Sequence, residues 1–357
     1  MLITNMKMIN FRNYDEFNID FNKNINIFYG NNAQGKTNII EAIFICAIGK
    51  SFRASKDKEL IKFEKNFLNI EINYNKIDRD GKIKIEISDK KNIYLNGIKN
   101  KKLSELIGKI NVVLFTPDDI NILKNGPKMR RRFLDIMISQ LRPNYIYCLN
   151  MYTKTLEQRN AYLKQIKLEH KSTELLDVWD VKLAEYGEKI FNYRKEFIKK
   201  IREKINNIHK KITNNNENLK IEYISDFSDA QTNYSILKNH QKIDILRGAT
   251  TKGIHKDDFN IYLNEKSVNT YGSQGQNRTV VLSLKMSELQ VIQDEIGENP
   301  ILLLDDFMSE LDENRRNNFL KNIGQTQVFV TCTDKIEIEN IDYSEFNVDN
   351  GKLKKIK

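Results

Sequence analysis

The stretch Gly30-Asn31-Asn32-Ala33-Gln34-Gly35-Lys36-Thr37 fits G-x-x-x-x-G-K-[ST], the phosphate-binding P-loop pattern. Ahead of it, Asn24-Ile25-Asn26-Ile27-Phe28-Tyr29 is a short apolar segment that reads as a buried strand. Behind it, residues 38–48, closed by Gly49, read as a helix buried on most sides. A strand–loop–helix context is what such a motif requires. Gly30 and Gly35 let backbone N–H groups curl around a phosphate, and the helix N-terminus adds partial positive charge. Asn31, Asn32, Ala33 and Gln34 supply the body of the loop, Lys36 reaches the β- and γ-phosphates, and the Thr37 hydroxyl can ligate Mg2+. The stretch predicts nucleotide binding.

With 357 residues, the chain can hold one large core or two domains. A charged fraction of 30% beside a hydrophobic fraction of 40% suits a soluble globular protein. The net charge of +10 favours an anionic partner, nucleic acid before a membrane surface, unless it only reflects a Lys- and Asn-rich composition. No apolar run approaches the roughly 18 residues of a membrane span, and the N-terminus lacks a signal-peptide core. A cytoplasmic protein is expected. Cys46, Cys148 and Cys332 form no C-x-x-C pair, and the four histidines lack ligand spacing. Any metal is expected to be the nucleotide's magnesium.

Strands are predicted over residues 3–11, 17–21 and 25–29, then an alternating antiparallel region over 68–77, 82–88 and 92–95, with Val112–Phe115 as a further buried strand. Between them, Lys50-Ser51-Phe52-Arg53 is a polar loop close behind the nucleotide site. From about residue 120 the pattern turns helical, with long helices over 144–170 and 173–213. The polar faces of the second carry Arg194, Lys195, Lys199, Lys200, Arg202 and Lys204. Arg130-Arg131-Arg132 forms a basic knot, open to either DNA contact or internal ion pairing. Residues 220–265 read as short strands.

Further nucleotide-type elements follow. Ser273-Gln274-Gly275-Gln276 heads a helix with Ser273 as N-cap. Ile301-Leu302-Leu303-Leu304-Asp305-Asp306 is an apolar strand ending in two carboxylates, a Walker B pattern that delivers an acid to magnesium. Ser309-Glu310-Leu311-Asp312 stands just beyond, and Gln327–Val330 makes another buried strand.

Together these elements resemble the ABC-type ATPase head, and more closely the SMC-like branch that includes the RecF family. The resemblance spans the whole chain. It includes Asn10-Phe11-Arg12-Asn13-Tyr14, Phe115-Thr116-Pro117-Asp118-Asp119, Arg130 to Asp135 and Gly253 to Asp258. Ile254 and Lys256 replace an expected proline and arginine, Asn277 an expected glutamine, and Cys332 is unusual.

The resemblance implies an α/β fold: a P-loop ATPase head from residues 1–120 plus 250–357, with a flanking antiparallel sheet, and a mainly helical lobe from 121–249. It implies ATP and Mg2+ as ligands, with Lys36, Asp305 and Asp306 catalytic, and Thr37 and Asp305 at the metal. Ser273 and Gly275 of one copy would meet the γ-phosphate of ATP bound in a second, so ATP would glue a homodimer. Asp312 would lie near the seam. Arg53 would either supply transition-state charge or make a structural ion pair. Asp306, where ABC ATPases usually carry glutamate, implies slow, DNA-stimulated hydrolysis that acts as a switch. The implied partners are single-stranded, gapped or junction DNA and the proteins RecO and RecR, in helping RecA load.

Three rival readings are weaker. A transporter's nucleotide subunit would show a histidine soon after the Walker B strand, where Thr331-Cys332-Thr333 offers none. A full SMC tether needs a far longer coiled coil. A nucleotide-dependent scaffold with negligible turnover uses the same residues and is separable only by experiment.

Overall fold

The computed structural model describes residues 1–213, 216–307, 319, 324–334 and 342–357. The chain forms two compact units, Met1–Asp119 with Glu288–Lys357, and Ile120–Ser287.

The first unit opens with β1 (Leu2–Phe11) and β2 (Tyr14–Asp20), an antiparallel pair. Ile3, Met6 and Met8 of β1 are all buried, which strict alternation forbids. A register shift between Ile3 and Asn5 resets the phase, as a bulge does. Next come β3 (Ile25–Tyr29) and α1 (Lys36–Ile48), the latter ended by left-handed Gly49. Strands β4 (Leu68–Asn75), β5 (Asp80–Ile87), β6 (Lys91–Leu95) and β7 (Ile98–Asn100) join the first pair in a sheet of order β2-β1-β4-β5-β6-β7. Strands β4 and β5 alternate buried apolar with more exposed polar positions because one face packs inward, whereas Ile98 of β7 at the sheet edge is exposed. Strand β8 (Val112–Phe115) closes this segment.

The second unit contains α2 (Asn121–Lys124), α3 (Pro127–Leu141), α4 (Pro143–Glu169) and α5 (Leu176–Ile212). At 37 residues α5 is about 56 Å long. After β9 (Leu219–Ile224) comes α6 (Ala230–Arg247), in a region expected to hold only strands. Apolar periodicity is silent there because two of its three buried residues, Asn233 and Asp244, are polar. The caps are clear: Asp229 accepts from the Thr232 N–H, and Gly248 is left-handed. Strands β10 (Asp258–Leu263) and β11 (Lys266–Ser267), then α7 (Val268–Tyr271), lead to α8 (Gln274–Ile296). The expected boundary at residue 250 thus differs from the observed one. Strand β10 pairs antiparallel with β9, Asp258 opposite Ile224 through Leu263 opposite Leu219, so 250–287 groups with the helical unit.

The chain then returns to the first unit as β12 (Ile301–Asp305), β13 (Val328–Cys332), β14 (Tyr343–Asp349) and β15 (Lys352–Lys355). The sheet order is β15-β14-β3-β13-β12-β8, parallel from β14 to β8. Its inner strands are near-continuous apolar runs because a parallel sheet is covered on both faces.

Candidate nucleotide-binding site

Strands β3 and β12 flank β13, so the loop after β3 and the acids after β12 emerge at the same edge of the sheet, one strand apart. Such a carboxyl-end crevice is where open α/β sheets hold ligands.

The loop's glycines are dictated by space. At Gly30, with φ +152°, an added Cβ would lie 2.3 Å from the Val348 carbonyl oxygen. At Gly35, with φ +111°, it would lie 2.6 Å from the Asn13 amide group. Asn31, Asn32 and Ala33 are exposed, while Lys36 is buried. The Lys36 ammonium folds back over the loop and donates to the carbonyls of Gly30 (2.6 Å) and Asn31 (2.8 Å). Burial lowers its pKa, opposed by Asp306, Cys332 and Asp305. A glycine-dependent, braced loop therefore keeps a cation and a helix N-terminus at one point.

The brace comes from residues far away in sequence. Asn13 Nδ2 donates to the Gln34 carbonyl (2.8 Å), Tyr14 OH to the Gly35 carbonyl (3.1 Å), and Asn350 N to Gln34 Oε1 (2.7 Å).

Opposite the lysine, Thr37 Oγ1 donates to Asp305 Oδ1 at 2.7 Å, and Thr331 Oγ1 donates to the same oxygen at 2.8 Å. Burial raises the Asp305 pKa, while Thr37, Thr331 and Arg53 oppose it. Asp306 follows at φ +49°, its N–H donating to Thr331 Oγ1 at 2.9 Å. Aspartate tolerates this left-handed turn better than most residues. A hydroxyl and a carboxylate beside a phosphate cradle form a hard-oxygen donor set that suits Mg2+. Among the described residues no group of three or more His, Cys, Asp or Glu assembles into a metal cage. An ion here would complete its shell with phosphate and water oxygens, as Mg2+ commonly does.

Arg53 is exposed and reaches Asn38 Oδ1 at 3.3 Å. Its loop hangs on Ser51 Oγ, which accepts from the N–H groups of Arg53 and Ala54 and donates to the buried Glu41 carboxylate. The Arg53 charge acts on Asp305, lowering its pKa, and among the described residues Arg53 makes no ion pair.

Ser273 and Gly275 belong to the second unit, at the exposed head of α8. Ser273 caps the helix: its Oγ accepts from Gln276 N (3.2 Å) while its N–H donates to Gln276 Oε1 (3.0 Å). A Cβ at Gly275 would meet nothing within 4 Å. The Ser309–Asp312 stretch lies outside the described residues.

The basic knot is largely internal. Arg130 forks onto Asp258 (2.5 and 2.8 Å) and Arg131 donates to the Asp257 carbonyl (2.6 Å), leaving only Arg132 exposed. Arg194, expected on a polar face of α5, is buried instead. It donates to Tyr145 OH, the Ile254 carbonyl, Asp135 and Asp257. Lys195, Lys199 and Arg202 do stay exposed.

A profile of the RecF/RecN/SMC N-terminal domain family matches residues 2–350. The DNA replication and repair protein RecF of Clostridium acetobutylicum is 42% identical over 99% of both chains, and that of Clostridium kluyveri 44% identical over 100% of both. The chain belongs to the RecF family. A solved structure of the recombination mediator protein RecF with ATP, in the RecFOR pathway, superposes with a TM-score of 0.93 at 36% identity, covering 100% of this chain and 98% of that one. A second, RecF with ATPrS, gives 0.92 at 37%, covering 99% and 98%. The Smc head domain of Pyrococcus furiosus, at 18% identity and a TM-score of 0.58 over 99% of this chain and 96% of that one, shares the fold. An ABC/SMC-type ATPase head is the architecture of the RecF family, and this chain has it.

Thr331, Asn350 and Glu41 were absent from the sequence-derived site. A threonine one residue before the end of a buried strand is the signal that could have flagged Thr331. Asn350 is placed by a contact across 316 residues of chain, which no local pattern carries.

Proposed function

We propose that this chain is an ATP-dependent DNA-binding protein of recombinational repair and replication, a slow ATPase working as a switch. Gly30 to Thr37 cradle the triphosphate, Lys36 neutralises its β- and γ-phosphates, and Thr37 with Asp305 hold Mg2+, which supplies charge neutralisation for the phosphoryl oxygens. Asp306 orients and polarises the attacking water. Being shorter than glutamate, it does so weakly. Ser273 and Gly275 close on the γ-phosphate held by a second copy, giving a two-fold dimer that hydrolysis releases. The single observation that carries this reading is the bond from Thr37 Oγ1 to Asp305 Oδ1, which joins the phosphate loop to the acid strand.

Gly275 supports the second half. Glycine inside a helix costs up to about 1 kcal/mol against alanine, and no described residue of its own chain comes within 4 Å of the space a methyl would fill. A group arriving from outside would need it. The exposed Lys195, Lys199 and Arg202 fit a DNA backbone, read through phosphates and therefore salt-sensitive. Family membership and the RecFOR pathway named for the structural relatives support gapped, single-stranded or junction DNA as the substrate, with RecO and RecR as co-workers in loading RecA.

The test is the mass in solution without nucleotide, with Mg2+-ATP, and with Mg2+-ATP for Ser273→Arg. A dimer formed only with ATP and lost in the variant supports the reading. A monomer throughout removes the composite site.

A further inference from the structure

The head of α8 is tied to the far end of α5 by a run of side-chain hydrogen bonds within the second unit. Gln276 already uses its Oε1 on the Ser273 N–H. Its Nε2 donates to Glu217 Oε1 at 2.8 Å. The other carboxylate oxygen of Glu217 meets His209 Nε2 at 3.1 Å, and His209 Nδ1 meets Ser283 Oγ at 2.9 Å. His209 is fully buried in the last turn of α5, and Ser283 lies nearly three turns along α8 from Ser273. Helix α8 is thus held at its first turn through Glu217 and at mid-length through His209.

The chemistry explains a residue choice. A capping box works with glutamate or glutamine at the third helical position. Here the second partner is a carboxylate, which only accepts, so the reaching residue must also donate. Glutamine does both, and the carboxylate decides which way its amide points. With the amide reversed, its NH2 would face the Ser273 N–H and the capping bond would be lost.

We propose that Glu217 is a positioning residue for the Ser273–Gln276 loop, setting through the Gln276 amide the geometry in which Ser273 and Gly275 meet the nucleotide of a second copy. The proposal rests on the dimer reading above and deepens it. Glu217 belongs to the second unit and the P-loop to the first, so ATP binding to the monomer is read separately from dimerisation.

The experiment compares wild type, Glu217→Ala, Gln276→Glu and the double variant Glu217→Gln/Gln276→Glu. Dimer dissociation constants are measured by sedimentation in Mg2+-ATP, and ATP affinity at protein concentrations where each is monomeric. Melting curves confirm that all are folded. Glu217→Ala is expected to weaken the dimer on the order of tenfold or more, with unchanged monomer affinity for ATP. Gln276→Glu keeps the capping box but sets two carboxylates face to face, and weakens it further. The double variant restores a donor and an acceptor in reversed order and recovers most of the loss. A Glu217→Ala dimer as tight as wild type, or a double variant no better than Gln276→Glu, overturns the proposal. A wild type that stays monomeric overturns both it and the dimer reading, so the two failures are told apart by the wild-type arm.

Discussion

Arg12 grips Glu41 with two parallel hydrogen bonds, Nε to Oε2 at 2.9 Å and Nη2 to Oε1 at 2.8 Å, although the Glu41 side chain is wholly buried in α1. A buried carboxylate is tolerable only when its charge and lone pairs are met, and Ser51 supplies a further donor. Glu41→Ala leaves the Arg12 guanidinium with only the Glu59 carbonyl and removes the acceptor that anchors Ser51. Urea unfolding should show a loss of about 3 kcal/mol, with Arg12→Ala, which strands the buried acid, at least as costly.

Gly30→Ala drives a methyl group into the Val348 carbonyl. Since backbone rather than a flexible side chain stands in the way, the loop must move. Calorimetric titration should find ATP binding weakened at least about tenfold, with the melting temperature also lowered.

Lys36→Met removes the cation at the phosphates, whereas Asp306→Asn removes only the group that polarises water. The first should abolish ATP binding and dimerisation. The second should keep both and lower turnover by at least about a hundredfold in a phosphate-release assay. Equal turnover in Asp306→Asn and wild type would favour a scaffold.

Gly275→Ala should raise the urea unfolding free energy of the nucleotide-free protein by up to about 1 kcal/mol, since no described residue contests the new methyl. The same variant should weaken the ATP dimer. Stability gained with assembly lost would mark a glycine kept for an incoming ligand.

Neutral His255 fits its surroundings: Nδ1 lies 3.0 Å from Tyr152 OH and Nε2 3.1 Å from the Thr250 carbonyl, so one nitrogen accepts and the other donates. Burial is the chief reason its pKa falls to about 4 from 6.5. The unfolded chain therefore binds the proton more readily. Its contribution is complete above pH 6.5, shrinks as pH falls, and is gone below about 4. Urea midpoints across that window should fall by less in His255→Gln than in wild type.

The local elements were legible in the sequence wherever the signal is local. The P-loop needs small residues at fixed spacing, so Gly30, Gly35, Lys36 and Thr37 announced it, and β3 and β12 showed as apolar runs because both faces of a parallel sheet are covered. Ser273 announced its cap for the same reason, since an N-cap bonds within one turn. Helix α6 escaped because Asn233 and Asp244 take the places on its buried face that periodicity looks for in apolar residues.

Tertiary structure alone decided what each charge is for. Arg130, Arg194 and Lys199 are indistinguishable as letters on amphipathic helices. Only the fold sets Asp258 against the first and Asp257 against the second, leaving the third in solvent. The same holds for the bonds from Thr331 to Asp305 and from Glu217 to Gln276. Backbone preferences act over a few residues and can be read in order, whereas a hydrogen bond or ion pair depends on distance in space, which chain order does not encode.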